Sequence, residues 1–186
     1  NGLSIGLIES VTAREQADVF RQGNTFTEPV EPTTNYFIGS LQKDLDDANT
    51  LVGGTMTATN RFINNDQLQW LNASAYTGGV DFTRFWADKK YYFTFNYSMS
   101  HIQGHEDAMQ HQQESSRRYF QRPDNHYANY DTTRTSLTGH GGTIQFGKQG
   151  SSKLRFVAWV TWRSPEFELN DVGYLRQADA VFQVFW

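Results

Sequence analysis

Three of the five histidines lie in the run HIQGHEDAMQH at residues 101–111. His101, His105 and Glu106 could supply imidazole and carboxylate ligands to a metal ion such as zinc, and the chain would then be a metallohydrolase. The spacing is loose, however, and the HExxH motif of zinc proteases is absent. A solvated polar loop accounts for the same residue types. We therefore predict a loop without a metal or other cofactor, with the metal site as the alternative.

A second group, further along the chain, combines guanidinium and aromatic side chains. Its members are Arg117, Arg118, Tyr119 and Arg122. Arginine binds phosphate bidentately, so this group could capture an anionic glycan or a lipopolysaccharide phosphate. The arginines could instead pair with loop carboxylates such as Asp124 and Asp131. We favour pairing, because surface ion pairs are common and individually weak.

The run SPEFELNDVG, residues 164–173, concentrates side chains with oxygen atoms. Glu168, Asn170 and Asp171 could bind a cation such as calcium, although the spacing of an EF-hand is absent. A fixed loop explains the same residues, with Asn170 and Asp171 as turn formers and Gly173 where a side chain would clash. We therefore predict a structural loop. Its key residues are Pro165, Glu168, Asn170, Asp171 and Gly173.

The composition excludes several classes of function. A net charge of -4 and a pI of about 5.7 argue against a nucleic-acid binder. The chain has no cysteine, so disulfides and thiolate metal sites are excluded. No GxSxG, Walker or Rossmann pattern appears, so only the histidine run leaves an enzyme open, and we favour a protein that is not an enzyme. The chain begins at Asn1 without a signal peptide, and we expect a processed chain or a fragment of a longer one.

The elements that must position these groups are β-strands. In the stretch YYFTFNYSMSH, residues 91–101, large apolar residues such as Phe93 and Phe95 alternate with small polar ones such as Asn96 and Ser98. A period of two is typical of a strand, whose successive side chains point to opposite faces. The pattern leaves open whether the apolar face meets a protein core or lipid.

The same alternation predicts eight strands. They are Leu3–Thr12, Asn35–Lys43, Thr50–Phe62, Gln69–Trp86, Tyr91–His101, Ser136–Lys148, Lys153–Arg163 and Ala178–Trp186. Within the fourth strand the apolar residues change from odd-numbered to even-numbered positions, which predicts a β-bulge at Gly78–Gly79. The connections Arg14–Thr34 and Ile102–Thr135 are predicted to lack regular structure, the first because Pro29 and Pro32 interrupt it.

Long and short connections alternate along the chain. In an up-and-down sheet the long ones would share one end and the short turns the other, as in outer-membrane barrels. Trp86, Tyr91, Phe185 and Trp186 would then lie at the short-turn end, like an interfacial girdle. We therefore predict an all-β, antiparallel, up-and-down transmembrane β-barrel, with residues 1–186 as a single domain or as part of a larger barrel. A soluble meander barrel or a lectin-like sandwich is the alternative.

Several runs of the sequence resemble the family called domain of unknown function 5916. They are NGLSIGLIESVT (1–12), TLVGGTMTATNRF (50–62), TGGVDF (77–82), YFQRPDNHY (119–127) and WRSPEFELNDVGYLRQAD (162–179). Family members typically come from Bacteroidota and related Gram-negative bacteria. They usually carry a module resembling a family-nine carbohydrate-binding module before an outer-membrane-type barrel. The resemblance implies that this chain is part of that barrel, and it implies no catalytic residues.

We therefore expect a protein of the cell outer membrane that acts in transport, anchoring or envelope assembly. Its expected partners are outer-membrane lipid and lipopolysaccharide, with other envelope protein chains or a glycan as further candidates, and no nucleic acid. The alternative is a soluble carbohydrate-binding β-domain. Pairing between the first and the last strand would indicate a barrel that closes on itself. If these strands do not pair, a missing segment or another chain must cover their unpaired edges.

Overall fold

The structure, a computed structural model, describes residues 2–150 and 153–186, so the connection between the predicted strands Ser136–Lys148 and Lys153–Arg163 lies partly outside the described residues. Within them it contains ten β-strands, one α-helix and a short 3-10 helix, Asp66–Leu68. The strands are β1 (Leu3–Thr12), β2 (Glu15–Arg21), β3 (Asn24–Glu31), β4 (Thr34–Leu45), β5 (Thr50–Arg61), β6 (Ser74–Trp86), β7 (Tyr91–Gln103), β8 (Ser136–Lys148), β9 (Phe156–Arg163) and β10 (Ala180–Phe185). The α-helix, α1, spans Glu106–Glu114.

Eight strands form one antiparallel sheet in the order β1-β4-β5-β6-β7-β8-β9-β10, and β2 pairs with β3 in a separate sheet. The predicted all-β antiparallel class is therefore confirmed. Short turns connect β4 to β5 and β6 to β7 at one end of the sheet, where β8 also ends and β9 begins, and the long connections lie at the other end. Within the described residues, β1 and β10 are the two edges and do not pair with each other. Closure into a barrel and a position across a membrane stay predictions.

The two faces of the large sheet differ in polarity in the central strands. Phe95 lies beside Phe82 and Ile144 on the adjacent strands, whereas the next residue, Asn96, lies beside Asp81. The face that carries Phe95 is termed the apolar face, and the face that carries Asn96 is termed the polar face. The register fixes this separation, because a slip of one residue would move every side chain of a strand to the opposite face.

The apolar face is exposed rather than buried. Ile5, Leu7, Met56 and Val80 all lie on this face, and each is between 54% and 69% exposed. Large apolar side chains on several strands therefore form one contiguous surface.

An aromatic row crosses the apolar face near its short-turn end. It consists of Trp86, Tyr91, Phe146, Phe156 and Phe185, which come from five neighbouring strands. Successive ring centroids along the row lie 5.6 to 6.5 Å apart. Stacked or tilted rings at these distances attract one another, so the row ties the strands together on this face.

The buried core lies on the opposite, polar face, at the end where the long connections emerge. Ala75 of β6 and Ile102 of β7 form one buried cluster with Met109 of α1. A second buried cluster lies within the connection that follows β9. The connections 104–135 and 164–179 therefore fold back onto the polar face, and together they are termed the plug.

The prediction that Arg14–Thr34 lacks regular structure is wrong, because this connection contains the hairpin of β2 and β3. Pro29 lies inside β3 and pairs with Gln16, next to a register irregularity. A two-stranded sheet tolerates proline, since each strand is an edge and has backbone N–H groups that need no partner in the sheet.

The prediction that Ile102–Thr135 lacks regular structure is also wrong, because it contains α1. This helix has nine residues, and only Ala108, Met109 and Gln113 are buried. So short a helix shows no sustained apolar period in the sequence. No helix within residues 2–150 and 153–186 is long and apolar enough to cross a membrane.

The predicted bulge at Gly78–Gly79 is wrong as well. The register of β6 against β5 and β7 runs without interruption through both glycines. The change of parity has another cause: β6 begins at Ser74, so residues 69–73 belong to the preceding connection and follow no strand period.

Candidate functional site

A buried ion pair joins the two segments of the plug. Arg118 follows α1 and Glu168 follows β9, and Nη2 of Arg118 lies 2.6 Å from Oε2 of Glu168. These two side chains are 0% and 1% exposed, while the partly exposed Arg117 approaches the same oxygen to 3.3 Å. Loss of one partner would leave a buried charge without compensation. The pair therefore fixes the two segments relative to each other.

Both carboxylate oxygens of Glu168 have partners. Oε1 accepts hydrogen bonds from the backbone N–H groups of Leu169 at 3.0 Å and Asn170 at 2.8 Å, and from Nδ2 of Asn170 at 2.6 Å. Burial acts to raise the pKa of Glu168, but the charge of Arg118 and the Asn170 N–H outweigh it and hold the pKa below its ordinary value. Glu168 is therefore ionised at neutral pH.

Arg118 also binds groups other than the carboxylate. Nη1 donates to the backbone oxygen and to Oε1 of Gln112 at 3.3 and 3.2 Å, and Nη2 donates to the backbone oxygen of Phe167 at 3.0 Å. Burial lowers the pKa of Arg118, although the charge of Glu168 opposes this effect. Arginine keeps its proton in proteins, so both members of the buried pair are charged.

The loop predicted at residues 164–173 is fastened to the sheet at two points. Ser164 exchanges two hydrogen bonds with His140 of β8, since its N–H donates to the backbone oxygen and its Oγ accepts from the N–H, both at 2.8 Å. The N–H of Glu168 donates to Oγ of Ser100 on β7 at 3.0 Å. These bonds place the carboxylate of Glu168 over the polar face.

Proline and glycine shape this loop. Pro165 follows Ser164 in a turn closed by the N–H of Phe167, which donates to the oxygen of Ser164 at 3.2 Å. The fixed φ of proline suits the second position of such a turn. The N–H of Gly173 donates to the oxygen of Leu169 at 2.6 Å, and a Cβ at Gly173 would lie 2.9 Å from that oxygen. A side chain would therefore clash there.

Because the plug lies close to β8, a single methyl group added to this strand should destabilise the protein. A Cβ at Gly139 would lie 2.2 Å from the backbone nitrogen of Phe167, so Gly139→Ala must displace the loop. We expect a loss of about 1–3 kcal/mol in the free energy of unfolding and faster proteolysis of the plug. Urea titration and limited proteolysis measure the two effects.

The matched control is Gly78→Ala on the apolar face of β6. A Cβ at Gly78 would meet nothing within 4 Å, so this variant should keep both the stability and the protease resistance of the parent chain. Equal losses in the two variants would contradict the proposed contact.

A second ion pair ties the plug to the connection between β5 and β6. Nη1 of Arg61 lies 2.5 Å from Oδ1 of Asp171 and donates to the backbone oxygen of Asn72 at 3.0 Å. Nδ2 of Asn72 donates to Oδ2 of Asp171 at 3.1 Å, and Nε2 of Gln112 donates to Oδ1 of Asn72 at 3.4 Å. Three separate connections therefore meet at this point.

The arginine group considered for ligand binding separates into buried and surface members. Arg118 is held in the buried ion pair, so its guanidinium is not open to a ligand from solvent. Nη2 of Arg122 lies 2.5 Å from Asp179, and its Nε lies 3.4 Å from Asp124. Tyr119 is 51% exposed. The pairing expected with Asp124 is present, but the shorter contact to Asp179 was missed.

The histidine run does not assemble into a metal site. Nδ1 of His101 lies 2.7 Å from Oγ1 of Thr138 on the neighbouring strand. His105 caps α1, because its side chain accepts a hydrogen bond from the N–H of Asp107, and Glu106 is the first residue of the helix. Nowhere in the part of the chain that the structure describes do three or more His, Cys, Asp or Glu side chains group to hold a metal ion.

These features define an all-β protein in which one antiparallel meander sheet carries long connections folded onto its polar face. The chain belongs to the family described as domain of unknown function (DUF5916), whose family model matches residues 1–185. The resemblance noted in the sequence is thereby confirmed. No curated protein and no solved structure matches the chain.

Proposed function

We propose that this chain is part of an outer-membrane β-barrel whose polar face lines the lumen and whose apolar face meets lipid. The observation that carries the proposal is that the apolar face of the large sheet is exposed while its polar face carries the buried core. Apolar side chains such as Leu7 and Val80 are 69% and 55% exposed, whereas the buried core lies on the polar face under the plug. A half-buried sheet of a water-soluble protein has the opposite arrangement.

The extent of the apolar face supports a lipid environment. Soluble monomers rarely expose contiguous apolar patches larger than a few hundred Å². Here exposed apolar residues recur from β1, where Ile5 is 66% exposed, through β6 to β9, where Val160 is 41% exposed. A surface this wide would favour aggregation in water and is stabilised in hydrocarbon.

The aromatic row supports the same proposal. Membrane barrels carry girdles of aromatic residues at the two interfaces, where amphipathic rings meet the lipid headgroups. The row from Trp86 to Phe185 lies beside the short turns, which are the periplasmic turns of such a barrel. Lys148 extends its Nζ to 5.6 Å from the ring of Tyr91, a suitable position for a cation among lipid phosphates.

The plug restricts the roles that such a barrel can have. Connections 104–135 and 164–179 cover part of the polar face, and buried ion pairs hold them in place. A lumen filled by such segments passes no large solute while they stay in place. We therefore favour anchoring or an envelope-assembly scaffold over an open diffusion channel, with outer-membrane lipid and lipopolysaccharide as the partners.

Fractionation of cells that express the chain within its natural polypeptide tests the proposal. We expect the protein in the outer-membrane fraction, extractable only with detergent and with an electrophoretic mobility that changes on heating. A monodisperse, detergent-free protein recovered from the soluble fraction would contradict the proposal.

A further inference from the structure

A pocket of about 130 Å³ opens where three connections meet. Arg61 ends β5, Trp70 belongs to the connection between β5 and β6, His111 belongs to α1, and Asp171 belongs to the plug segment after β9. An engineered apolar cavity of ~150 Å³ accommodates a benzene molecule. The pocket is smaller than that cavity and open to solvent, so it would hold one side of a six-membered ring rather than enclose the ring.

One wall of the pocket is aromatic. Trp70 is 50% exposed, and His111 contacts it edge-on, with the ring centroids 5.8 Å apart and the planes at 74°. An edge contact of this kind covers at most one face of the indole. Trp70 is half-exposed, so the indole offers an apolar surface to a ligand in the pocket.

The other wall is polar, but its charges are already compensated. Arg61 pairs with Asp171 at 2.5 Å, and the buried Glu168 behind them pairs with Arg118. Asn72 is only 6% exposed and is fixed by its bond to Asp171, so the polar atoms are held in place before any ligand arrives. Each oxygen of Asp171 accepts one hydrogen bond, and a carboxylate oxygen can accept another.

We propose that this pocket binds one ring of a neutral saccharide. The C–H face of a sugar ring would lie on Trp70, and the ring hydroxyls would donate to Asp171 and exchange hydrogen bonds with Asn72. A charged ligand fits less well, because the charges of Arg61 and Asp171 already compensate each other. The site does not depend on what surrounds the apolar face, so the saccharide proposal can be tested independently of the membrane proposal.

Titration of the detergent-purified chain with methyl glycosides tests the site. The probes are the methyl glycosides of glucose, galactose, mannose and N-acetylglucosamine, and the readouts are tryptophan fluorescence and saturation-transfer NMR. We expect at least one glycoside to bind, with saturation transfer to its ring protons. Trp70→Ala should weaken that binding about tenfold, which corresponds to ~1.4 kcal/mol of binding free energy, because it removes the ring on which the sugar would lie.

Two variants serve as controls. Trp86→Ala removes a tryptophan from the aromatic row on the apolar face and should leave the glycoside affinity unchanged. Trp70→Phe keeps a flat ring and should retain part of the affinity, and because Trp70 is half-exposed both of its variants should fold. Absence of binding by all four glycosides, or equal affinity of the parent and Trp70→Ala, would overturn the proposal. Binding of glucose 6-phosphate alone would also overturn it, since that result would identify an anion site.

Discussion

Phe95→Arg should prevent assembly of the chain into the outer membrane, whereas Asn96→Arg, one residue further along the same strand, should permit it. Phe95 lies on the apolar face at mid-strand, between Phe82 and Ile144. A cation on the lipid face near the bilayer midplane costs about 2–4 kcal/mol. Asn96 is exposed on the polar face beside Asp81, so an arginine there can reach water and a carboxylate.

The two arginine variants have the same added charge and nearly the same position in the chain, so they differ chiefly in the face that carries the charge. Protease protection and heat-modifiable mobility of the outer-membrane fraction measure assembly. If both variants assemble equally well, the assignment of the two faces is wrong. If both fail, the polar face does not line a wet lumen.

Glu168→Gln should cause the largest loss of stability among single substitutions in the plug. It removes the negative charge while Arg118, whose side chain is 0% exposed, stays positive. Breaking a buried pair by removal of one partner costs about 3–5 kcal/mol. Urea unfolding in detergent micelles measures this loss. Glu166→Gln in the same loop is the matched control, because Glu166 is partly exposed and lies 3.8 Å from Arg134.

The same carboxylate predicts an acid dependence of stability. The pKa of Glu168 is lower in the folded chain than its ordinary value, so the unfolded chain binds the proton more readily. The stabilisation is therefore present above the ordinary pKa and is lost as the pH falls through the lowered, folded-state pKa. Glu168→Gln should lack this part of the acid dependence, while Glu166→Gln should keep it. An unchanged pH profile in Glu168→Gln would mean that the pair does not form as described.

The strands were predictable because their signal is local. Alternation in the stretch 91–101 assigned Phe95 and Asn96 to opposite faces, and the register of the sheet agrees. The hairpin and α1 were missed for physical reasons: Pro29 suits an edge strand as well as a loop, and nine helical residues are too few for a visible period. Local patterns therefore determined the sheet but not the content of its long connections.

The contacts within the plug were largely beyond prediction from sequence. Arg118 and Glu168 are 50 residues apart, and nothing in either run identifies the other as a partner. Asp131, expected to pair with an arginine, instead accepts hydrogen bonds from the N–H and hydroxyl of Thr133. The pocket beside Trp70 draws on three connections that are far apart in the sequence, so no local pattern identifies it.

The open edges of the sheet have a consequence for the order of events during biogenesis. Within the described residues, β1 and β10 each have only one neighbour, so β1 presents unpaired backbone groups along its ten residues. In hydrocarbon every such group costs several kcal/mol. If the sheet enters a bilayer, each edge must pair with the other edge or with a further strand. This pairing must form before the sheet enters or while it enters. Insertion would then be limited by the rate of edge closure, and a chain delayed at that step would depend on chaperones that shield its two free edges.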